Sequence, residues 1–192
     1  MGVRERQERQ ERRERREQGV TLLELMVALT LAAILLMLAA PPLRNLVVAN
    51  QAATHAQAMM TSLFLARTEA VKRHQRVTLC KSADGLHCTT DGDWSQGWLV
   101  FADAANLGVL DPGEELLRVQ QALKGDISLR NTNAAHWYAY RPDGSAASSG
   151  GLVTGTFRVC PRNGHPRLAY RVITNITGRP RVARGIGNLS CP

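Results

Sequence analysis

Residues 19–40 read GVTLLELMVALTLAAILLMLAA, and Val20 to Ala40 holds a single charged side chain, Glu24. A helix rises 1.5 Å per residue, so about 20 apolar residues reach across the hydrocarbon core of a bilayer. The run is therefore long enough to be read as a transmembrane helix. Residues 1–19, MGVRERQERQERRERREQG, carry seven Arg and five Glu. Such a segment can form a solvated helix with i,i+4 ion pairs, but it has nothing to bury. Its Arg-rich flank predicts a cytoplasmic N-terminus, which places everything beyond the span outside the cytoplasm. A secretory signal peptide would have a shorter apolar run followed by a small-x-small cleavage site. Ala39-Ala40-Pro41-Pro42 fits that poorly, because proline follows the small pair directly.

Glu24 is the residue that needs explaining. A carboxylate in an apolar span costs about 2.5–3.5 kcal/mol on insertion scales, so it either snorkels to the membrane edge or has a partner. The string Gly19-Val20-Thr21-Leu22-Leu23-Glu24 resembles the type III leader of type IV pilins and pseudopilins. The resemblance implies that a prepilin peptidase cuts between Gly19 and Val20 and that Val20 is then N-methylated. It also implies that Glu24 pairs with the N-terminal amine of a neighbouring subunit and sets axial register. Val20 departs from the commoner Phe or Met at the first mature position. A buried carboxylate facing a buried amine relieves two desolvation penalties together.

The chain has 192 residues, of which 44% are hydrophobic, and a net charge of +8. That composition excludes a disordered chain and allows one ordinary domain with an appendage. Pro41-Pro42 would kink or locally break a helix, since neither has an N–H. Beyond them Ala49, Ala53, Ala56, Met60, Leu63 and Ala70 form one helical stripe, which predicts an amphipathic continuation to about His74 packed on a head. The expected divisions are a leader (1–19), a membrane or fibre-core helix (20–43), its amphipathic continuation (44–75) and a β-rich head (76–192).

From Arg76 onward short β runs alternate with turn signals: 77–80, 97–102, 115–120, 127–130, 136–140, 155–160, 167–176 and 179–183. Arg141-Pro-Asp-Gly144 is a turn and Ser148-Ser-Gly-Gly151 is a flexible loop. The fold class is thus α+β: a long N-terminal helix on an antiparallel head of short strands. Four cysteines, Cys80, Cys88, Cys160 and Cys191, allow three pairings. Outside the cytoplasm disulfides are permitted, and Cys80–Cys88 with Cys160–Cys191 is the preferred set. A zinc site is disfavoured because no C-x₂-C spacing occurs. Asp103, Asn106, Asp111 and Glu114 could offer oxygen ligands to Ca²⁺, but without EF-hand spacing. They read better as side chains capping the backbone of their own loop. The five histidines lack metal-ligand spacing, and no Ser-His-Asp or Cys-His arrangement suggests a catalytic site. No cofactor, metal site or enzymatic activity is expected.

Trp94-Ser-Gln-Gly97-Trp-Leu-Val-Phe101-Ala-Asp103, followed by Asn106, Gly108, Asp111, Gly113 and Glu114, resembles the GspH/FimT branch of the pilin family. The resemblance extends over Val20 to Pro192. It implies other major and minor pilins and the prepilin peptidase as partners. It also implies a single-pass inner-membrane precursor with its head in the periplasm, later built into a pilus or pseudopilus.

Charge is unevenly placed. Arg158 to Pro192 holds seven arginines and no acid, whereas Val20 to Phe157 sums to −1. Arginine's planar fork binds phosphate with two parallel hydrogen bonds. In Gly178-Arg179-Pro180-Arg181 the glycine permits a tight turn and the proline keeps the chain extended, so Arg179 and Arg181 share a face. The quartet matches the GRxR motif of FimT-like minor pilins, where the resemblance implies DNA capture in natural transformation. Expected DNA-binding residues are Gly178, Arg179, Arg181, Arg184 and Arg171, acting on double-stranded DNA without sequence preference and with strong salt dependence. The alternatives are surface charge without a ligand, and a structural minor pilin or GspH-like pseudopilin that primes fibre assembly.

Overall fold

The computed structural model describes residues 20–192 apart from 132, 153, 163–165, 176, 186, 188, 189 and 192, and without the side chains at 38–42. The leader, including Gly19, lies outside the described residues. The described residues divide into two compact units, one ending at Arg44 and the other beginning at Asn45.

Helix α1 spans Leu22–Arg73. Thr21 precedes it, and its hydroxyl accepts from the Glu24 N–H at 3.2 Å, as an N-cap does. Pro41 and Pro42 lie inside α1; each removes one backbone donor, and the division into units falls just beyond them, after Arg44. In the first unit Val20 to Met37 is exposed and almost wholly apolar. Among the described residues no helix is long and apolar enough to cross a membrane. The described side chains of the apolar run end at Met37.

In the second unit α1 buries Ala52, Ala56, Met59, Leu63, Ala66 and Ala70 completely. This stripe is displaced from the expected one: Ala56, Leu63 and Ala70 belong to both, whereas Ala49, Ala53 and Met60 are only half-buried. Both sets obey three-and-four spacing, and an alanine-rich helix has little polarity contrast to choose between neighbouring stripes.

The head is built from two antiparallel sheets. The first has the strand order β3-β2-β1-β5-β6, with β1 Val77–Lys81, β2 Trp98–Ala102, β3 Leu116–Gln120, β5 Trp137–Tyr140 and β6 Ala146–Ser148. The second has the order β4-β7-β8-β9, with β4 Ile127–Arg130, β7 Gly155–Pro161, β8 Tyr170–Thr174 and β9 Pro180–Arg184. Strand β6 lies in a stretch given no strand from sequence, and its last residue, Ser148, is the first of the expected flexible loop. Its run Ala146-Ala-Ser148 has weak strand propensity, and pairing with β5 decides it. Arg167 falls in a 3₁₀ turn, Pro166–Leu168, instead of a strand, in keeping with the missing N–H of Pro166.

One core joins α1 and both sheets through Trp94, Trp98, Tyr138, Tyr140, Phe157 and Val172. Trp94 meets Phe157 edge-to-face at 5.2 Å, and Tyr138 meets Phe157 at 6.0 Å, a favoured aromatic geometry. Trp98 donates from its indole to Ser62 of α1 at 3.0 Å. Strands β1 and β2 are buried along their whole length. Their outer side carries a smaller cluster of Cys80, Leu99 and Phe101, which explains why β2 is apolar throughout rather than alternating. The disulfides are Cys80–Cys88 and Cys160–Cys191.

Candidate functional site

The turn between β8 and β9 is set by Asn175 and Gly178. The Gly178 N–H donates to the Asn175 carbonyl at 2.9 Å, and the Asn175 side chain accepts from the Arg179 N–H at 2.8 Å. Gly178 has φ +73, and a Cβ there would stand 2.7 Å from the Gly144 carbonyl oxygen and 2.8 Å from the Tyr140 ring. Only glycine fits both the backbone and the space. Arg67 of α1 holds this turn and the neighbouring one, donating to the Gly144 carbonyl at 3.2 Å and to the Thr177 carbonyl at 3.3 Å. Gly178 itself is buried, so its part is to shape the turn.

Cross-strand pairing distributes the arginines. Arg181 lies opposite Ile173, and Arg171 lies between Arg158 and Ala183. Arg130 lies opposite Arg158. Strand alternation therefore gathers Arg130, Arg158, Arg171 and Arg181 on the outer face of the second sheet, away from Phe157 and Val172. Arg179 and Arg181 are both exposed, two residues apart. Arg184 is exposed but opposes Tyr170 in register, which puts it on the other face. Arg171 is half-buried, with its guanidinium against Gly187, and among the described residues its buried Nε has no partner.

Arg130, Arg158 and Arg171 form one row across three strands. Like charges directly opposite one another are unfavourable in a sheet. Arg130 is relieved by Asp93, Nε to Oδ2 at 3.2 Å, and Arg158 by donation to the Ser190 carbonyl at 3.0 Å. The Cys160–Cys191 bridge draws the C-terminal segment to this face. Arg130 precedes the acid-free tail by 28 positions and is invisible to a count of that tail. The signal that points to it is its outward position in the run Ile127-Ser-Leu-Arg130.

The acidic loop after β2 is occupied by its own backbone. Asp103 is buried and accepts from Thr78 at 2.6 Å, from the Gly108 N–H at 3.0 Å and from Arg76. Glu114 accepts from the N–H groups of Ala104, Ala105 and Asp111, and Asp111 accepts from Asn106. Among the described residues no group of His, Cys, Asp and Glu is placed to hold a metal ion.

A long N-terminal helix on an antiparallel β head is the architecture of type IV pilins and pseudopilins. The fold is similar to that of the type IV minor pilin FimU of Pseudomonas aeruginosa strain PAO1, at 18% identity and TM-score 0.53, covering 74% of this chain and 93% of that one. It is also similar to that of the minor pseudopilin EpsH from the type II secretion system of Vibrio cholerae, at 15% identity and TM-score 0.51, covering 72% and 99%. At such identities the likeness concerns the fold. No curated protein matches the chain. Residues 15–40 match the prokaryotic N-terminal methylation motif, and residues 55–178 match the type II transport protein GspH family. The second match covers well over half of the chain, which therefore belongs to the GspH family of type IV pilin-like minor pilins and pseudopilins. It is a pilin-like protein.

Proposed function

We propose that the chain is a minor pilin or pseudopilin subunit that enters a fibre through its N-terminal helix and helps to prime fibre assembly. The observation that carries this reading is the exposed apolar stretch from Val20 to Met37, interrupted only by Glu24 and the two threonines. A helix that is apolar all round demands burial in lipid or among other helices. The inner membrane supplies the first environment, with the head in the periplasm, and neighbouring pilins supply the second. Prepilin peptidase cuts after Gly19 and Val20 is methylated; Glu24 then meets the N-terminal amine of an adjacent subunit. The test is incorporation into sheared fibres, which Glu24→Leu is expected to abolish while leaving the head folded.

A second reading has its own support. The exposed pair Arg179 and Arg181 stands on a turn anchored by Arg67 and Tyr140, beside the outer-face arginines. These groups suit the phosphates of double-stranded DNA, as in a FimT-like pilin serving natural transformation. Gel retardation by residues 45–192, a compact unit, tests it through the double variant Arg179→Ala, Arg181→Ala.

A further inference from the structure

Four arginines from four strands reach one surface. Antiparallel register sets Arg130 of β4 opposite Arg158 of β7, and Arg158 opposite Arg171 of β8. Arg181 of β9 pairs with Ile173, two positions along β8 from Arg171. Side chains alternate across a strand, so all four fall on the outer face of the second sheet, with Thr156, Ile173 and Ala183 between them. None of these outward positions is acidic or aromatic.

The accessible cations sit at the two ends of this face. The Arg130 side chain is 51% exposed; its Nε bonds Asp93 Oδ2 at 3.2 Å, and it makes no other hydrogen bond among the described residues. Arg179 and Arg181 are exposed, and among the described residues their side chains make no hydrogen bond or ion pair. Arg158 and Arg171, in the middle, are half-buried against the C-terminal segment. Arg158 donates to the Ser190 carbonyl at 3.0 Å, and Gly187 lies against the Arg171 guanidinium. These two add positive potential to the face rather than free contacts.

Neighbouring strands stand about 4.8 Å apart, so β4 and β9 are separated by about 14 Å, and a two-residue offset along the strands brings Arg130 and Arg181 to about 16 Å. Side chains stand nearly upright on a sheet, so one phosphate does not meet both ends. A duplex carries one charge per about 1.7 Å of axis, and about nine phosphates fall within such a span. Single-stranded nucleic acid is held largely by stacking on aromatic side chains, which the outward positions named above lack.

We propose that duplex DNA lies across the four strands of this face, with Arg130 of β4 as its contact at the edge opposite Arg179 and Arg181. The proposal rests on the DNA-binding reading above and extends it to a residue outside the acid-free tail.

The experiment is a fluorescence-anisotropy titration of a short labelled duplex with the full chain in non-ionic detergent, at several sodium chloride concentrations. Arg130→Gln should flatten the log–log salt slope by about 0.9 and weaken binding about eightfold at about 0.1 M salt. Lys72→Gln, which removes an exposed charge from α1, should match wild type. Asp93→Asn keeps a side-chain acceptor at the cap of the 3₁₀ turn Trp94–Gln96 while removing the charge that faces Arg130; it should bind at least as tightly as wild type. Single-stranded DNA of the same length should bind more weakly. If the double variant Arg179→Ala, Arg181→Ala loses binding while Arg130→Gln keeps the wild-type slope, the extended path is overturned and the DNA-binding reading stands. Absence of duplex binding by the wild-type chain overturns both. An equal loss in Asp93→Asn would assign the effect to the ion pair and overturn the Arg130 contact, and equal or tighter binding of the single strand would overturn the assignment to duplex.

Discussion

The Tyr140 hydroxyl, on the five-stranded sheet, donates to the Gly178 carbonyl at 2.8 Å in the turn that precedes β9. This buried bond joins the first sheet to the Arg-bearing edge of the second. Burial holds the phenol well above its ordinary pKa, so it remains a donor through the physiological range. Tyr140→Phe leaves the carbonyl without that donor and is expected to lower stability by about 1–3 kcal/mol, read from urea unfolding of residues 45–192. Gly178→Ala should be more damaging, because it adds backbone strain at φ +73 to a collision with backbone.

Much of this architecture is legible in the sequence, for reasons that differ by element. The helix follows from an apolar run and three-and-four spacing; β1, β2, β4 and β5 follow from β-branched and aromatic runs. The phase of the buried stripe does not, because alanine at 49, 52, 53 and 56 satisfies two neighbouring phases. Strand β6 is hidden because Ala146-Ala-Ser148 becomes a strand only against β5. The capping role of Thr21 beside Glu24 is written as Thr-x-x-Glu spacing, but the same residues also fall within the leader motif, which gives them a competing meaning. The row Arg130–Arg158–Arg171 depends on pairing between positions as far apart as Arg130 and Arg158, which local pattern does not encode.

The proposed register role of Glu24 can be tested apart from folding. Its backbone N–H caps on Thr21, and that bond survives Glu24→Leu. The variant should therefore keep its helix but fail to enter sheared fibres, as judged by immunoblotting. Thr21→Ala should instead weaken the helix start by about 1 kcal/mol and leave fibre entry largely intact. Normal incorporation of Glu24→Leu would contradict the registry role.

Arg73 gives the head a defined acid response. Hydrogen bonds from Arg73 are the main cause holding Glu69 and Glu115 below the ordinary carboxyl value of 4.5. A lowered folded-state pKa contributes stability that is complete above the unfolded value and disappears as pH falls through the folded one. The urea midpoint of wild type should exceed that of Arg73→Ala at pH 7, and the two should converge below about pH 4.5 as the carboxyls protonate. The difference is small, since Arg73 and Glu115 are both solvated. A gap that stays constant to about pH 3 would assign the effect of Arg73 to packing.

DNA binding, if carried by Arg179 and Arg181, is electrostatic. Each phosphate that an arginine no longer neutralises should flatten the log–log salt dependence by about 0.9. Arg179→Ala with Arg181→Ala should thus weaken retardation and reduce the slope by about 2. Arg184→Ala, on the opposite face of β9, should have less effect. Unchanged binding in the double variant would leave assembly as the sole reading.

The most direct test of the pilin-like assignment is the N-terminus of the mature protein. Intact-mass and peptide mass spectrometry of the chain from cells with active prepilin peptidase should find N-methylated Val20 and no residue before it. A mature chain that still begins at Met1 in such cells would contradict it.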